Sequence, residues 1–243
     1  MAVRTGRSYP PPPTARGRRI IGVVVLVVSV LGVVIAGLDA AGVVPTPGYQ
    51  VLFVGASVTE GYYASNGEHA YPAVTISDLE DRGAVVDSIV VGHAGSGTAQ
   101  VLKWRLQATP DAMVLQIATN DFGRNITLDR YVANYRAILR RLRLLGPRAR
   151  LLCLGEWRNP AEVNKAGVTG AEFNAVTERA CADFGGHFVN LGPIYLNAKN
   201  HGPRGRETAF GRADYFHPNN RGHAAIAGLV VRSLGQVPTS WGL

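Results

Sequence analysis

The chain has 243 residues, of which 47% are hydrophobic and 17% are charged, and this composition fits one globular domain with a short appendage. Its formal net charge is +8, but five of the positive charges are arginines within the first 19 residues, where no acidic residue occurs. A nucleic-acid partner needs Lys and Arg clustered on a folded face rather than on a tail, so this charge predicts no nucleic-acid binding.

The N-terminal segments predict attachment to a membrane. Residues 1–19 contain four consecutive prolines among Ser, Thr and Arg, and we expect them to form a disordered basic tail. Residues 20–38 carry no charge and only one polar side chain, Ser29, and a helix of this length nearly crosses a hydrocarbon core of about 30 Å. We therefore predict a transmembrane signal anchor that leads through a linker, residues 39–48, into the domain, residues 49–243.

The orientation of this anchor follows from the position of the arginines. They precede the apolar segment and none follows it directly, which favours a cytoplasmic N-terminus and a single-pass cell-membrane protein with an extracytoplasmic domain. A cleaved secretory signal peptide is the alternative, although its apolar stretch usually spans only about 7 to 15 residues. In that case the domain would be secreted.

Beyond the linker, short β-branched runs alternate with longer segments of helical period, which is typical of a parallel sheet with helices on both faces. The predicted strands are Gln50–Val54, Val85–Val91, Ala112–Ile117, Arg150–Leu154 and His187–Leu191. The predicted helices are Tyr71–Arg82, Thr98–Gln107, Leu128–Leu145, Gly170–Phe184 and Asn220–Leu234. We predict a three-layer α/β/α sandwich with a five-stranded parallel, flavodoxin-like sheet in the order 2-1-3-4-5. A ligand site is then expected outside the carboxyl ends of the strands.

Residues that can carry chemistry follow several of these strands. Ser57 comes after the first strand, a glycine-rich loop that includes Gly97 after the second, and Asn120 after the third. Asp214 precedes His217 by three residues, just before the last helix. A serine in such a turn can act as a nucleophile, and amide and backbone N–H groups can hold an oxyanion. A carboxylate beside a histidine fixes the tautomer that a general base requires.

Each of these residues also has a simpler interpretation. Ser57 and Asn120 occupy positions where helix N-caps are common, and a glycine-rich loop is often only a flexible turn. Their fixed order along the chain, at the carboxyl ends of successive strands, favours a catalytic site.

With these motifs the sequence resembles the SGNH (GDSL-like) hydrolase superfamily, whose signatures are a GDS block, a glycine loop, a GxND block and a DxxHP block. The resemblance covers residues from about 50 to 235. It implies Ser57 as the nucleophile, Asp214 as the residue that orients the base, and His217 as the base. The sequence departs from the family pattern at Ala56, in place of the usual Asp, and at Ala118, in place of the usual Gly, which implies altered loop support rather than a dead enzyme.

The resemblance also implies an oxyanion hole and an acyl-enzyme mechanism. Its donors would be the backbone N–H groups of Ser57 and Gly97, with Gly95 as the alternative to Gly97, and the side-chain amide of Asn120. The mechanism needs no metal ion or organic cofactor. The sequence has no CxxC or HxxxH spacing that would indicate a zinc site.

The remaining aromatic, histidine and cysteine residues leave alternatives open. Tyr62, Tyr63 and Trp157 are candidates for lining an acyl or sugar pocket, with core packing as the alternative. We expect His69, His187 and His201 to be surface or structural residues, and His223 to cap or pack the last helix. The two cysteines either form a disulfide, as an extracytoplasmic domain allows, or are buried separately; they are Cys153 and Cys181.

The predicted function is that of a membrane-anchored serine esterase that hydrolyses acyl or acetyl esters of lipids or envelope glycans. An envelope-glycan O-acyltransferase with the same triad is one alternative, and a catalytically inert glycan-binding domain is another. The acyl chain length, the alcohol and the oligomeric state stay open, because long loops such as residues 159–170 and 198–213 shape the pocket.

Overall fold

The structure is a computed structural model, and it describes residues 48–235. The predicted basic tail (1–19) and transmembrane segment (20–38) lie outside the described residues, as does the linker up to residue 47. Between residues 48 and 235, no helix has both the length and the apolar character needed to cross a membrane.

A five-stranded parallel sheet forms the centre of the domain. Its strands are β1, Tyr49–Gly55; β2, Val86–Gly92; β3, Ala112–Gln116; β4, Arg150–Leu154; and β5, His187–Val189. The strand order is β2-β1-β3-β4-β5, so the predicted flavodoxin-like sheet is confirmed. Gly55, the last residue of β1, lies opposite Gly92 of β2 and Gln116 of β3. The carboxyl ends of these three strands therefore meet at one edge.

The α-helices of the described residues cover both faces of this sheet. They are α1, Ser57–Glu60; α2, Tyr71–Glu80; α3, Thr98–Val101; α4, Thr119–Gly123; α5, Leu128–Leu145; α6, Gly170–Asp183; α7, Gly192–Tyr195; and α8, Asn220–Leu234. Val51 and Phe53 of β1 join a core with α2 and α8, whereas Leu52 and Val54 join a second core with α5 and α6. This alternation of side chains is that of a strand buried on both faces, and it produces the predicted three layers.

Helix α3 is shorter than predicted, because the sequence pattern extends it to Gln107 and the structure ends it at Val101. The guanidinium of Arg141 in α5 donates to the carbonyls of Val101 and Leu102, at 3.3 and 2.6 Å. A side chain 40 residues away in sequence thus satisfies carbonyl groups that a further helical turn would otherwise bind.

Short elements that the sequence did not predict lie in the loops after β1 and β5. They are two 3-10 turns, Gly67–His69 and Ala198–Asn200, and a two-stranded hairpin of Glu207–Thr208 and Gly211–Arg212. The hairpin belongs to the long loop that leads to Asp214.

The two cysteines are paired in the structure. Cys153 of β4 and Cys181 of α6 form a disulfide, with 6.1 Å between their Cα atoms. The bond ties α6 to the sheet and closes a loop of 28 residues in sequence. A cross-link over a loop of this length stabilises a fold by about 3 to 4 kcal/mol, mainly by restricting the unfolded chain.

Candidate active site

Ser57 stands at the carboxyl edge of the sheet, directly after β1, an interior strand. β1 ends at Gly55, and Ser57 begins helix α1 after a single intervening residue. Gly55 makes this tight turn possible, because a Cβ there would lie 2.1 Å from Thr59 Oγ1 and 2.5 Å from the Gln116 carbonyl oxygen. A larger residue at position 55 would push α1, and Ser57 with it, away from the sheet.

His217 and Asp214 reach Ser57 from the loop that precedes α8. The Nε2 atom of His217 lies 3.0 Å from Ser57 Oγ, and its Nδ1 atom lies 2.8 Å from Asp214 Oδ2. One ring nitrogen therefore faces the hydroxyl group and the other faces the carboxylate. The structure thus brings the three side chains predicted as a triad into one chain of hydrogen bonds.

The Asp214 carboxylate is held in its ionised form. Its Oδ1 atom accepts the backbone N–H groups of Phe216 and His217, at 2.9 and 2.8 Å. Burial alone raises the pKa of this carboxyl group, but hydrogen bonds from the backbone and ring of His217 and the charge of that ring outweigh burial, so the pKa of Asp214 is lowered. An ionised Asp214 holds a proton on Nδ1 of His217 and leaves Nε2 free to accept the serine proton.

The side chains of Asn120 and of the buried Asp121 bind the glycine loop to the start of α4. The side-chain amide of Asn120 in α4 donates to the Ser96 carbonyl at 2.9 Å. Asp121 accepts both the N–H and the hydroxyl of Thr98, at 2.9 and 2.7 Å, and its Oδ2 atom lies 2.9 Å from where a Cβ of Gly97 would stand. Burial raises the pKa of Asp121, and the two hydrogen bonds from Thr98 oppose that rise. Only glycine fits at position 97 while these contacts persist.

The two glycines considered as oxyanion donors differ in their surroundings. The N–H of Gly97 donates to the side-chain oxygen of Gln100, at 3.0 Å. Gly95 lies in the exposed part of the same loop with a φ of 75°, in the left-handed region that glycine favours. An oxyanion bound by Gly97 would have to replace the Gln100 oxygen.

Aromatic side chains border His217. The rings of Tyr62 and Tyr63 lie 5.7 and 5.2 Å from the His217 ring, measured between centroids, and Phe210 stacks on Tyr62 at 4.6 Å. Both tyrosines are half-buried, as a pocket wall requires. Trp157, the third pocket candidate, is fully buried, which supports the alternative of core packing.

Trp157 nevertheless links two parts of the site. Its backbone N–H donates to Thr119 Oγ1 at 3.1 Å, and its indole Nε1–H donates to the Phe216 carbonyl at 2.7 Å. Thr119 precedes Asn120, and Phe216 precedes His217. The sequence pattern gave no sign of this bridge, because a tryptophan after an apolar strand is typical of a core residue.

The ring of His223 links the backbones of Tyr62 and Tyr71. Its Nδ1 atom accepts the N–H of Tyr71 at 3.3 Å and its Nε2 atom faces the Tyr62 carbonyl at 2.9 Å, so the ring proton lies on Nε2. Burial lowers the pKa of His223 to about 4. The ring is therefore neutral at neutral pH, and the expectation that it packs the last helix is met in a fully buried position.

No metal centre is formed by the residues that the structure describes. From residue 48 to 235, no group of three or more His, Cys, Asp and Glu is arranged to hold an ion.

The comparisons with known proteins agree with this geometry. The model of the GDSL-like lipase/acylhydrolase family matches residues 53–225, which contain all four sequence blocks. The chain belongs to this family. The resemblance to the SGNH (GDSL-like) superfamily is thereby confirmed, and so is the predicted enzyme class, a carboxylic ester hydrolase. No curated protein matches the sequence.

Solved structures of esterases share the fold of this GDSL-like acylhydrolase. An acetylxylan esterase from Geobacillus stearothermophilus, in a variant form, is 18% identical with a TM-score of 0.61, and the match covers 80% of this chain and 97% of that one. A carbohydrate esterase family 2 enzyme from Corynascus thermopiles is 19% identical with a TM-score of 0.59, over 79% and 68% of the two chains. The psychrotrophic esterase EstA from Pseudoalteromonas sp. is 15% identical with a TM-score of 0.59, over 76% and 96%. At these identities the likeness establishes the fold.

Proposed function

We propose that the protein is a serine esterase in which Ser57, His217 and Asp214 form the catalytic triad. The observation that carries the proposal is the continuous set of hydrogen bonds from Ser57 Oγ through both ring nitrogens of His217 to Asp214, at 3.0 and 2.8 Å. These distances are within the reach that proton transfer from nucleophile to base needs.

The reaction follows from this geometry. Ser57 Oγ attacks the carbonyl carbon of the ester while Nε2 of His217 takes its proton, and the carbonyl oxygen becomes an oxyanion. His217 then gives that proton to the leaving alcohol, which produces an acyl ester on Ser57. Water, deprotonated by His217, attacks the acyl carbon, and the carboxylic acid leaves as Ser57 regains its proton.

The oxyanion is stabilised by preorganised donors. We assign this role to the backbone N–H of Ser57, the amide of Asn120 and a glycine N–H, from Gly97 once the Gln100 side chain moves or from Gly95 in its place. Asn120 has one amide proton in its contact with Ser96 and a second left to donate. Loss of a single oxyanion donor typically lowers kcat by about 10² to 10³.

A structural neighbour supports the triad assignment. Structures of the Geobacillus acetylxylan esterase are described as catalytic mutants that replace a serine, an aspartate or a histidine. In that protein the aspartate precedes the histidine by three positions, which is the spacing between Asp214 and His217.

The proposed substrates are acyl or acetyl esters of lipids or envelope glycans. The carbohydrate esterases among the structural neighbours favour a sugar ester, and the rings of Tyr62, Tyr63 and Phe210 beside His217 offer faces on which a sugar can stack. We further propose an extracytoplasmic domain anchored through residues 20–38. The Cys153–Cys181 disulfide supports that location, because disulfides persist in oxidising compartments.

The activity is tested by hydrolysis of p-nitrophenyl acetate, butyrate and octanoate by the full-length protein, beside the Ser57→Ala and His217→Ala variants. We expect turnover by the parent and background rates from both variants, with the dependence on chain length defining the acyl pocket. A parent that keeps its activity without Ser57 contradicts the proposal. If the parent transfers acetyl groups to a glycan and releases no free acid, the protein is a transferase that uses the same acyl-enzyme.

The location is tested separately. Protease added to intact cells is expected to remove the domain while a cytoplasmic marker survives. A domain protected until the cells are lysed contradicts the proposed orientation.

A further inference from the structure

The peptide unit that joins Phe216 to His217 is held at both ends. Its N–H group, from His217, donates to Asp214 Oδ1 at 2.8 Å. Its carbonyl, from Phe216, accepts the indole N–H of Trp157 at 2.7 Å and faces Nδ1 of His201 at 2.9 Å. Because a peptide unit is planar, its orientation fixes the position of the following Cα and thus the direction in which the His217 side chain leaves the backbone.

His201 is itself fixed between two carbonyl groups and two aromatic rings. Its second ring nitrogen, Nε2, lies 2.6 Å from the carbonyl oxygen of Tyr195, the last residue of α7. The rings of Trp157 and Tyr195 pack against it at 5.2 and 4.7 Å between centroids. A carbonyl oxygen only accepts, so the ring donates to the Phe216 carbonyl either as the tautomer with its proton on Nδ1 or as the imidazolium, which donates to both carbonyls.

The backbone of His201 is tied to the same loop as His217. The side-chain amide of Asn219 donates to the carbonyls of His201 and Gly202, at 2.7 and 2.9 Å. His201 also forms an isolated antiparallel bridge with Pro218, the residue that follows His217. The segment that carries the His201 ring to the Phe216 carbonyl is therefore bound to the two residues that follow the proposed base.

We propose that His201 is a positioning residue for His217, which it orients through the Phe216 carbonyl. This inference rests on the proposed function, in which His217 is the base. His201 acts through the backbone and not on substrate, so its loss should lower the rate of the chemical steps and leave substrate binding nearly unchanged. A misplacement of a reacting group by about 1 Å costs about 10²-fold in rate, so a smaller tilt of the peptide costs less.

The test compares His201→Phe, His201→Gln and the matched control His187→Phe. Phenylalanine keeps the packing against Trp157 and Tyr195 and removes both ring nitrogens, whereas glutamine retains a donor. His187 is exposed at the start of β5, at the end of the sheet away from Ser57. With p-nitrophenyl acetate we expect His201→Phe to lower kcat about tenfold. KM should stay within about twofold of the parent value. His201→Gln should recover part of the loss, and His187→Phe should match the parent.

A second readout needs no turnover. The proton NMR resonance of the Nδ1–H group of His217, in its hydrogen bond to Asp214, should shift or broaden in His201→Phe and stay unchanged in His187→Phe. If the parent is active and His201→Phe has the same kcat and the same resonance as the parent, the role of His201 is overturned and the triad stands. A parent without esterase activity overturns the proposed function, and the resonance still decides whether His201 orients His217. Should His201→Phe fail to fold, His201→Leu, which also lacks a donor, takes its place, and a kcat and a resonance in that variant identical to those of the parent overturn the inference.

Discussion

The carboxylate of Asp214 holds His217 twice, once through the ring at 2.8 Å and once through the backbone N–H at 2.8 Å. The two oxygens have different roles, since Oδ2 fixes the proton on Nδ1 and Oδ1 fixes the peptide from which the ring projects. In the Asp214→Asn variant, the side-chain amide can turn either its N–H group or its oxygen towards Nδ1 of His217. When the N–H group faces Nδ1, it stabilises the tautomer of His217 that carries its proton on Nε2. That tautomer cannot accept the proton of Ser57.

We therefore expect Asp214→Asn to lower kcat by about 10³ to 10⁴ with a small change in KM. Steady-state kinetics with p-nitrophenyl acetate measure both constants, and circular dichroism checks the fold. Asp129→Asn, on the exposed first turn of α5, is the matched control and should behave as the parent. An Asp214→Asn enzyme within a few-fold of the parent would show that Asp214 does not orient the base.

The contact between Gly97 and Gln100 distinguishes the two possible glycine donors. If Gly97 is the oxyanion donor, its N–H must leave the Gln100 oxygen before each reaction, and Gln100→Ala removes this competitor. We then expect kcat/KM to rise by up to about fivefold, the equivalent of one neutral hydrogen bond of about 1 kcal/mol. If Gly95 is the donor, Gln100→Ala leaves kcat/KM unchanged.

Whichever glycine is the donor, Asn120→Ala should lower kcat by about 10² to 10³, which is the effect of losing one donor.

The sequence predicts those parts of the fold that depend on local pattern. Helix α5 has the predicted bounds, Leu128–Leu145, because an apolar stripe runs along it and Thr127 caps its first turn by accepting the N–H of Arg130. Helix α3 does not, because Arg141 ends it from a distance. A pattern within one segment carries no information about a side chain that arrives from another helix.

The candidate active site, like the fold, has residues that the sequence predicts and residues that it does not. Ser57, Asp214 and His217 stand in short motifs with fixed spacing, so a family resemblance is enough to propose them. Trp157 and His201 lie in no motif, and their contacts with the Phe216 carbonyl exist only once three separate loops meet. The sequence also left the pairing of the two cysteines open, since that depends on the distance between β4 and α6.

Buried His223 should make stability fall in acid. Its pKa is 6.5 when exposed and about 4 in the fold, because burial disfavours the charged ring. Between these values the unfolded state binds a proton that the folded state does not. The stabilisation is thus complete above about pH 6.5 and is lost as the pH falls towards about 4, by about 1.4 kcal/mol per pH unit.

Urea unfolding across this range measures the slope, and His223→Gln is the matched variant. Its amide can accept from Tyr71 and donate to Tyr62 but does not titrate. Because the contribution of Glu156 is common to both proteins, we expect the free energy of unfolding of the parent minus that of the variant to decrease as the pH falls from about 6.5 to about 4. Parallel curves for the two proteins would contradict the lowered pKa of His223.

Buried Glu156 should act in the opposite direction. Its two carboxylate oxygens have no hydrogen-bond partner within residues 48–235, and burial raises its pKa from 4.5 to about 8, although the charge of Arg158 opposes this rise. Between these two values the folded state holds a proton that the unfolded state has lost. The contribution of Glu156 to the free energy of unfolding is therefore fully present below about pH 4.5. It falls by about 1.4 kcal/mol per pH unit as the pH rises towards about 8.

Glu156→Gln removes this titration and keeps the shape of the side chain. We expect the free energy of unfolding of the variant, measured in urea between about pH 5 and about pH 8, to decline less steeply than that of the parent. The comparison uses slopes, because a buried amide has its own cost at every pH. If the free energy of unfolding of the parent declines no more steeply than that of the variant, Glu156 is ionised in the fold and the expectation is wrong.

The identity of the nucleophile is tested most directly by covalent trapping. A fluorophosphonate reacts with a serine only when a base activates it, and intact-mass analysis followed by peptide mapping locates the adduct. We expect one phosphonyl group on Ser57 of the parent, an adduct of the same kind in the Ser96→Ala control, and no adduct in Ser57→Ala or His217→Ala. Labelling at another residue, or labelling that survives the loss of Ser57, would contradict the assignment of Ser57 as the nucleophile.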